Sequence, residues 1–275
     1  MNDQGMRGYG DDVLGGAQDS ERARLAAMAA VCDPTTARVL DDLGVGPGWR
    51  CLEVGAGAGT VATWLAGRVR PAGGHVVATD IDPRPLDDLA GPNLTVLHHD
   101  ITCDPQPPGG PFDLVHARFV LEHLPAREEV LDRLVAWLAP GGVIVVESIA
   151  GFPVGSSPHP AFRRAMHAVE DVLAVTIGTD ATWGRRFPAP LLDRGLLDVG
   201  LTVSLPATGG ANASALCWAL TLSRLRPHIL EHQLVAADVL DEALDLLADP
   251  GFFDLAAATA IAWGRRPPAA PTPAV

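Results

Sequence analysis

Residues 52–60 read LEVGAGAGT, and their types and spacing point to ligand-binding chemistry before any element is assigned. Gly55, Gly57 and Gly59 alternate through a turn where a backbone without Cβ atoms can bend sharply and come close to a ligand. A plain strand-to-helix turn uses such glycines too, so the residues around them decide the reading. Thr60 stands where the dinucleotide pattern G-x-G-x-x-G needs its last glycine. Glu53 places a negative charge beside the loop, which disfavours a bound pyrophosphate and suits a cofactor carrying a cation and an amino group. Asp80 ends the next apolar run and is placed to accept both hydroxyls of a ribose. Asp82 is the competing acid, but it shares a turn with Pro83, so Asp80 is favoured. Ile81 would then lie against an adenine face. Asp100, after the third run, would accept from the adenine amino group.

The elements that must position these residues follow from the hydrophobic pattern. RCLEV (50–54), HVVATD (75–80), LTVLHHD (94–100), FDLVHA (112–117) and GVIVVES (142–148) are short and apolar on both faces. Helical segments TVATWLAGRV and PAREEVLDRLVAWL alternate with them, the pattern of a parallel sheet covered on both sides. Upstream, a helix is expected from Ser20, and a second from the Asp33-Pro34 start. Downstream, AFRRAMHAVEDVLAVTI, PAPLLDRGL, CWALTLSRLRPHIL and VAADVLDEALDLLA read as helices, with final strands in 201–208 and 252–266. Residues 1–19 are expected to form a flexible arm or lid, 20–266 the folded domain, and 267–275 a disordered proline-rich tail. Helical cap insertions are expected around 151–190 and 211–249.

Composition narrows the chemistry. All 20 Lys+Arg positions are arginine, which excludes a lysine Schiff base and a Walker-type phosphate loop. Abundant Ala, Gly, Pro and Arg without Lys is also what a GC-rich bacterial gene would encode. The formal net charge of -13 disfavours nucleic-acid binding through a diffuse basic surface. No signal-peptide pattern or membrane-length apolar run is evident. Cys32, Cys51, Cys103 and Cys217 are scattered, as expected of reduced thiols in a cytoplasmic protein.

LEVGAGAG, VVATDIDP, HHDI, FDLVHARFVLEHLP and LAPGGVIVVES together resemble class I S-adenosylmethionine-dependent methyltransferases over roughly residues 20–150. GGAQDSERARL and AWGRRP are similar to a branch of small bacterial enzymes that modify natural products and other small molecules. The resemblance implies a doubly wound α/β fold with a seven-stranded Rossmann-like sheet of order 3-2-1-4-5-7-6, strand seven antiparallel. It implies S-adenosylmethionine as cofactor and S-adenosylhomocysteine as product. Glu53, Gly55, Ala56 and Gly57 would surround the methionine portion, with Ala117 touching its end. Asp80 would bind ribose, Ile81 and Ile101 would flank adenine, and Asp100 would bind its amino group. Tyr9 is a further candidate, closing over the cofactor with the arm.

Methyl transfer from a sulfonium depends mainly on alignment, so a base is optional. His123 is the candidate general base. Glu147, Phe162 and Trp183 are candidates for the substrate wall, as is Trp218. His116, inside a strand, reads as a hydrogen-bonded core residue. His98-His99 point to opposite faces of a strand, and His228/His232 lack a third ligand, so no metal is expected. The function expected is methylation of an O, N or C nucleophile on a small apolar or aromatic molecule. Alternatives are a cyclase or rearrangement enzyme on the same fold, or a non-catalytic nucleoside-binding module. A nicotinamide oxidoreductase is disfavoured by Thr60 and Glu53. No nucleic-acid or membrane partner is expected, and the apolar helix over 234–247 offers a homodimer contact.

Overall fold

A computed structural model describes Val13 and residues 18–269. Tyr9 and the remainder of the expected arm and tail lie outside the described residues. Seven strands form one sheet: β1 (Arg50–Val54), β2 (His75–Asp80), β3 (Leu94–His98), β4 (Phe112–Arg118), β5 (Leu138–Gly151), β6 (Leu197–Ser204) and β9 (Ala258–Arg265). Their order is β3-β2-β1-β4-β5-β9-β6, with β9 antiparallel to both neighbours. Counted within this sheet, that is the expected order 3-2-1-4-5-7-6.

Side-chain alternation sorts the strands into two cores. Cys51, Val76, Ala78, Leu114, Val143 and Val145 pack under α1 (Gln18–Asp42) and α2 (Thr60–Val69). Leu52, Val54, Val77, Val115, Ile144 and Val146 face α3 (Arg127–Ala136) and the segment around α5 (Ala189–Leu192). Both faces are therefore dry, as the uninterrupted apolar runs require. A third core lies beyond the sheet. There α4 (Pro160–Ile177), α6 (Ala213–Glu231) and α7 (Ala237–Ala248) bury Val169, Val172, Leu222, Leu225 and Leu240 against one another.

Three expectations need correction. The first helix does not restart at Pro34; α1 runs through it. An interior proline costs about 3 kcal/mol in an isolated helix. Here residues on both sides are buried, Ala27 and Ala29 before it and Val39 and Leu40 after it, and packing holds the helix straight through. The strand expected over 201–208 stops at Ser204, because Pro206 has no N–H to continue a ladder. Ala207–Gly209 becomes β7 and pairs instead with β8 (Phe253–Leu255) as a two-stranded ribbon. Finally, Val239, Leu240, Ala243 and Leu247 of α7 are buried in the third core, so the apolar face considered for a dimer is already covered. Among the described residues no helix is long and apolar enough to cross a membrane.

Candidate active site

The glycine loop joins the end of β1 to the start of α2. Gly57 has φ 54, and a Cβ built there would meet nothing within 4 Å. Its backbone conformation demands glycine, while the space beside it stays open. Gly55 differs: at φ 64 its Cβ would run into the Val120 side chain. The loop is fastened to β2, since Asp80 accepts from Gly57 N–H through Oδ2 (2.8 Å) and from Asp82 N–H through Oδ1 (2.9 Å). Burial raises the Asp80 carboxyl above its ordinary pKa, and the two amide donors oppose that rise.

Above the loop is a cavity of ≈ 360 Å³, counting the solvent at its mouth. Glu53, Gly55, Ala56 and Gly57 form its base, together with Thr60 and Arg118. Leu25, Met28 and Ala29 of α1 roof it. A carboxylate and a guanidinium thus share one small chamber with bare glycine backbone. That set fits a ligand bearing an ammonium or sulfonium and a carboxylate. It does not fit a pyrophosphate.

The charges are held from below. His116 on β4 meets Glu53 Oε2 through Nδ1 at 2.7 Å and Glu147 Oε1 through Nε2 at 3.0 Å. Glu53 and His116 are register partners across β1–β4, as are Arg118 and Glu147 across β4–β5. Burial acts to lower the His116 pKa, but the two glutamates outweigh it and raise the group to about 9. Arg118 reaches Asp33 at 2.8 Å and donates to Thr36 Oγ1 at 3.1 Å, which ties β4 to α1.

A second cavity adjoins the first. Its empty volume is ≈ 860 Å³, counting solvent at the mouth. Arg24, Met28, Val31 and Cys32 of α1 form one wall. Phe119 and His123 come from the segment after β4, Ile149 and Phe152 from the end of β5 and just beyond. Cys217, Trp218 and Thr221 of α6 close the other side. Phe152 and Trp218 meet edge to face, with centroids 5.5 Å apart. Arg24 is paired with Glu21 through two hydrogen bonds of 2.8 and 2.6 Å.

His123 therefore lies where a base would be wanted, but with little basicity. Burial, Arg24 and Arg127 lower its pKa to about 3, and Nδ1 is 2.8 Å from Thr179 Oγ1. It is a neutral imidazole on the cavity wall, and burial disfavours its taking up a proton.

The remaining expected residues divide. Ile81 is 46% exposed, beside Asp80 at the end of β2. Asp100 uses Oδ1 to accept from Thr102 N–H (2.8 Å) and Oγ1 (2.6 Å), and the threonine hydroxyl lowers its pKa. Ile101 is buried in the sheet's α3-side core, as is Ala117, the register partner of Val54. Neither lines either of these two cavities, whereas Glu53, Gly55, Ala56 and Gly57 line the smaller.

Three substrate-wall expectations are corrected. Glu147 is buried against His116, and the β5 residue that reaches the cavity is Ile149 on the same face. Phe162 is fully buried in the third core, its ring 5.2 Å from that of Phe252. Trp183 lies on the sheet's opposite face, with its indole N–H donating to Glu128 at 3.2 Å. Trp218 does line the cavity. Arg118, Phe119 and the α1 residues Arg24, Leu25 and Met28 were missed. An arginine closing a strand carries no spacing signal, and the role of α1 depends on where it docks.

Fold and site together give a doubly wound α/β domain with a glycine-loop cavity and an adjoining, largely apolar chamber. Residues 21–203 match the model of the methyltransferase domain family, so the chain belongs to that family, the class I S-adenosylmethionine-dependent methyltransferases. Their cofactor is S-adenosylmethionine and its spent form S-adenosylhomocysteine. Methyltransferase str2 of Strobilurus tenacellus is 32% identical over 156 residues, 56% of this chain and 55% of its own. The matched region thus spans about half the length of that relative. Among solved structures, mycolic acid cyclopropane synthase CmaA1, complexed with S-adenosylhomocysteine, aligns with TM-score 0.50 at 15% identity, covering 83% of each chain. The [4+2]-cyclase SpnF aligns with TM-score 0.50 at 16% identity, covering 86% of this chain and 81% of its own. These two likenesses concern the fold.

Proposed function

We propose that the protein transfers a methyl group from S-adenosylmethionine to an oxygen, nitrogen or carbon of a small, uncharged, largely apolar molecule seated in the larger cavity. The observation that carries this reading is the shared wall. Met28 borders both cavities, and the consecutive residues Arg118 and Phe119 line one each. When bound, the cofactor supplies an activated methyl on a sulfonium with a neutral thioether as leaving group.

Glu53 and Arg118 are placed to hold the ammonium and carboxylate of a methionine moiety, and Asp80 the ribose. Ile81, Asp100, Ile101 and Ala117 remain candidates for the adenine end and the methionine tip. Among the described residues the larger chamber presents no carboxylate, its arginine is already paired with Glu21, and His123 is neutral. A cationic amine would find no counter-charge there, and a neutral acceptor loses nothing. His123 can hydrogen-bond such an acceptor but is a poor proton acceptor itself. Alignment is worth roughly 7–11 kcal/mol in such displacements, more than the 10²–10⁴-fold a base typically adds. The chain's main task is then to orient the acceptor and keep water out.

Modification of natural products and other small metabolites fits this chamber. The free cysteines fit a reducing, cytoplasmic setting.

Calorimetry with S-adenosylmethionine, S-adenosylhomocysteine and NAD tests the cofactor. Binding of NAD alone would sink the reading. Turnover with a panel of neutral phenols, enols and polyenes should release S-adenosylhomocysteine. Consumption of an acceptor without that release would identify a cyclase or rearrangement enzyme instead.

A further inference from the structure

The trio beneath the cofactor cavity fills three core positions with ionisable groups. His116 is 0% exposed, Glu53 3% and Glu147 1%, and taking three ionisable groups out of water costs several kcal/mol for each ion. Well-packed apolar side chains at such positions are often as stabilising, as their neighbours Leu114, Val143 and Val145 illustrate. What ions supply that leucines do not is orientation.

We propose that His116 is a positioning residue for cofactor binding: gripped by Glu147 on one side, it fixes the Glu53 carboxylate on the wall of the smaller cavity. This rests on reading that cavity as the S-adenosylmethionine site.

The geometry is specific. Both ring nitrogens face carboxylate oxygens, at 2.7 and 3.0 Å. Ionised carboxylates only accept, so the ring donates from both nitrogens and is an imidazolium. Glu53 then has one oxygen committed to a group that is itself unable to rotate, because its other nitrogen is committed to Glu147. The register extends the chain of alternating sign. Arg118 lies opposite Glu147, whose buried Oε2 accepts no hydrogen bond, and Arg118 in turn meets Asp33 on α1. Cys32 is the remaining titratable neighbour of Arg118, and burial pushes its thiol up to about 12, so it stays neutral. Of the two members of this chain that touch the cavity, Glu53 is thus held through His116 and Glu147, and Arg118 by Asp33 and Thr36. Loss of the imidazolium charge would leave two buried carboxylates with one donor between them.

The test measures S-adenosylhomocysteine binding by calorimetry from pH 6 to 10 for wild type, His116→Asn and Glu147→Gln. Wild-type affinity should fall as pH rises through about 9, where His116 loses its proton. His116→Asn should bind about tenfold or more weakly at neutral pH, the loss of one charged hydrogen bond. Its remaining pH dependence should be mainly that of the ligand's own amine, whose titration free in solution is common to both measurements. Glu147→Gln should also weaken binding although it touches no ligand.

Nitrogen-15 NMR of the wild-type imidazole provides a second readout, independent of whether the variants fold. Both nitrogens should be protonated at pH 7, and their signals should shift when S-adenosylhomocysteine is added. Wild-type affinity and pH profile in a folded His116→Asn protein would overturn the proposal, as would a neutral His116 or signals indifferent to the ligand. Failure of wild type to bind either S-adenosylmethionine or S-adenosylhomocysteine would instead overturn the cofactor reading beneath it.

Discussion

Arg118 and Phe119 are neighbours in the chain and line different cavities, because Phe119 takes the left-handed backbone conformation at φ 55. Arg118 follows the alternation of β4 and stays with the cofactor cavity. Phe119 leaves the strand, donates its N–H to Glu147 O at 2.9 Å, and lines the larger chamber. A bulky residue in this region costs on the order of 1–3 kcal/mol, which the surrounding structure must over-determine. Phe119→Ala keeps the backbone penalty and removes the ring. It should raise the KM for the acceptor while S-adenosylhomocysteine affinity stays within about twofold, since the strand end is unmoved. Equal losses in both would show that the two chambers are not separate.

The Asp80–Gly57 hydrogen bond makes a second prediction. Asp80→Ala removes both the ribose acceptor and the fastening of the loop, so S-adenosylhomocysteine binding should weaken by about 1.5–3 kcal/mol. Calorimetry reads this directly. Unchanged affinity would remove Asp80 from the site.

Gly57 and Gly55 should separate binding from stability. In Gly57→Ala the new methyl meets no protein atom, so the cost is the left-handed backbone alone, roughly 1–2 kcal/mol. In Gly55→Ala the methyl also collides with Val120. Thermal melting should fall more for Gly55→Ala than for Gly57→Ala. Cofactor affinity, measured on whichever protein remains folded, should be lost in Gly57→Ala, whose methyl occupies the open space beside the cavity it lines.

Stability should depend on pH through three buried groups. His116 is raised from 6.5 to about 9, so its contribution is complete below pH 6.5 and is lost as pH climbs through 9. Glu122 is raised from 4.5 to about 7 by burial, and the folded state therefore loses stability between those values as the carboxyl must ionise. His123, lowered from 6.5 to about 3, works the other way: stability falls as pH drops below 6.5, because only the unfolded chain gains the proton. Between pH 4.5 and 6.5 the last two oppose each other. Above 6.5, Glu122 and His116 act together. Urea denaturation should show a plateau followed by an alkaline decline, and Glu122→Gln should turn the plateau into a rise with pH between about 4.5 and 6.5 while the decline due to His116 remains.

Much of this architecture is legible in the chain. Five apolar runs, a glycine loop after the first and an acid at the end of the second are local signals, and they locate β1 to β5 and the loop after β1. The interior network was partly legible. LEV and VHA each place one polar residue, and VES two, within an otherwise apolar strand, and Glu53 and His116 fall at one level across neighbouring strands, with Glu147 two residues beyond the partner of His116. Glu147 was read as facing a ligand because strand alternation gives its face but not what fills that face. Trp183 and Phe162 were read as pocket residues because aromatic content alone does not distinguish a cavity wall from a core. The contribution of α1 was illegible for a different reason. A helix shows which of its residues are apolar, whereas the surface it docks against is decided by distant parts of the chain.

The seating of α1 over both chambers has a consequence for how this protein can diverge. Leu25 and Ala29 border only the cofactor side, Arg24, Val31 and Cys32 only the acceptor side, and Met28 is the one described α1 residue common to both. One helix therefore carries two independent alphabets. On the proposed reading, replacements at 31, matched across the chamber at 218, would change which molecule is accepted without touching the smaller cavity. Position 28 is the hyphen between the two words, where any change is read in both.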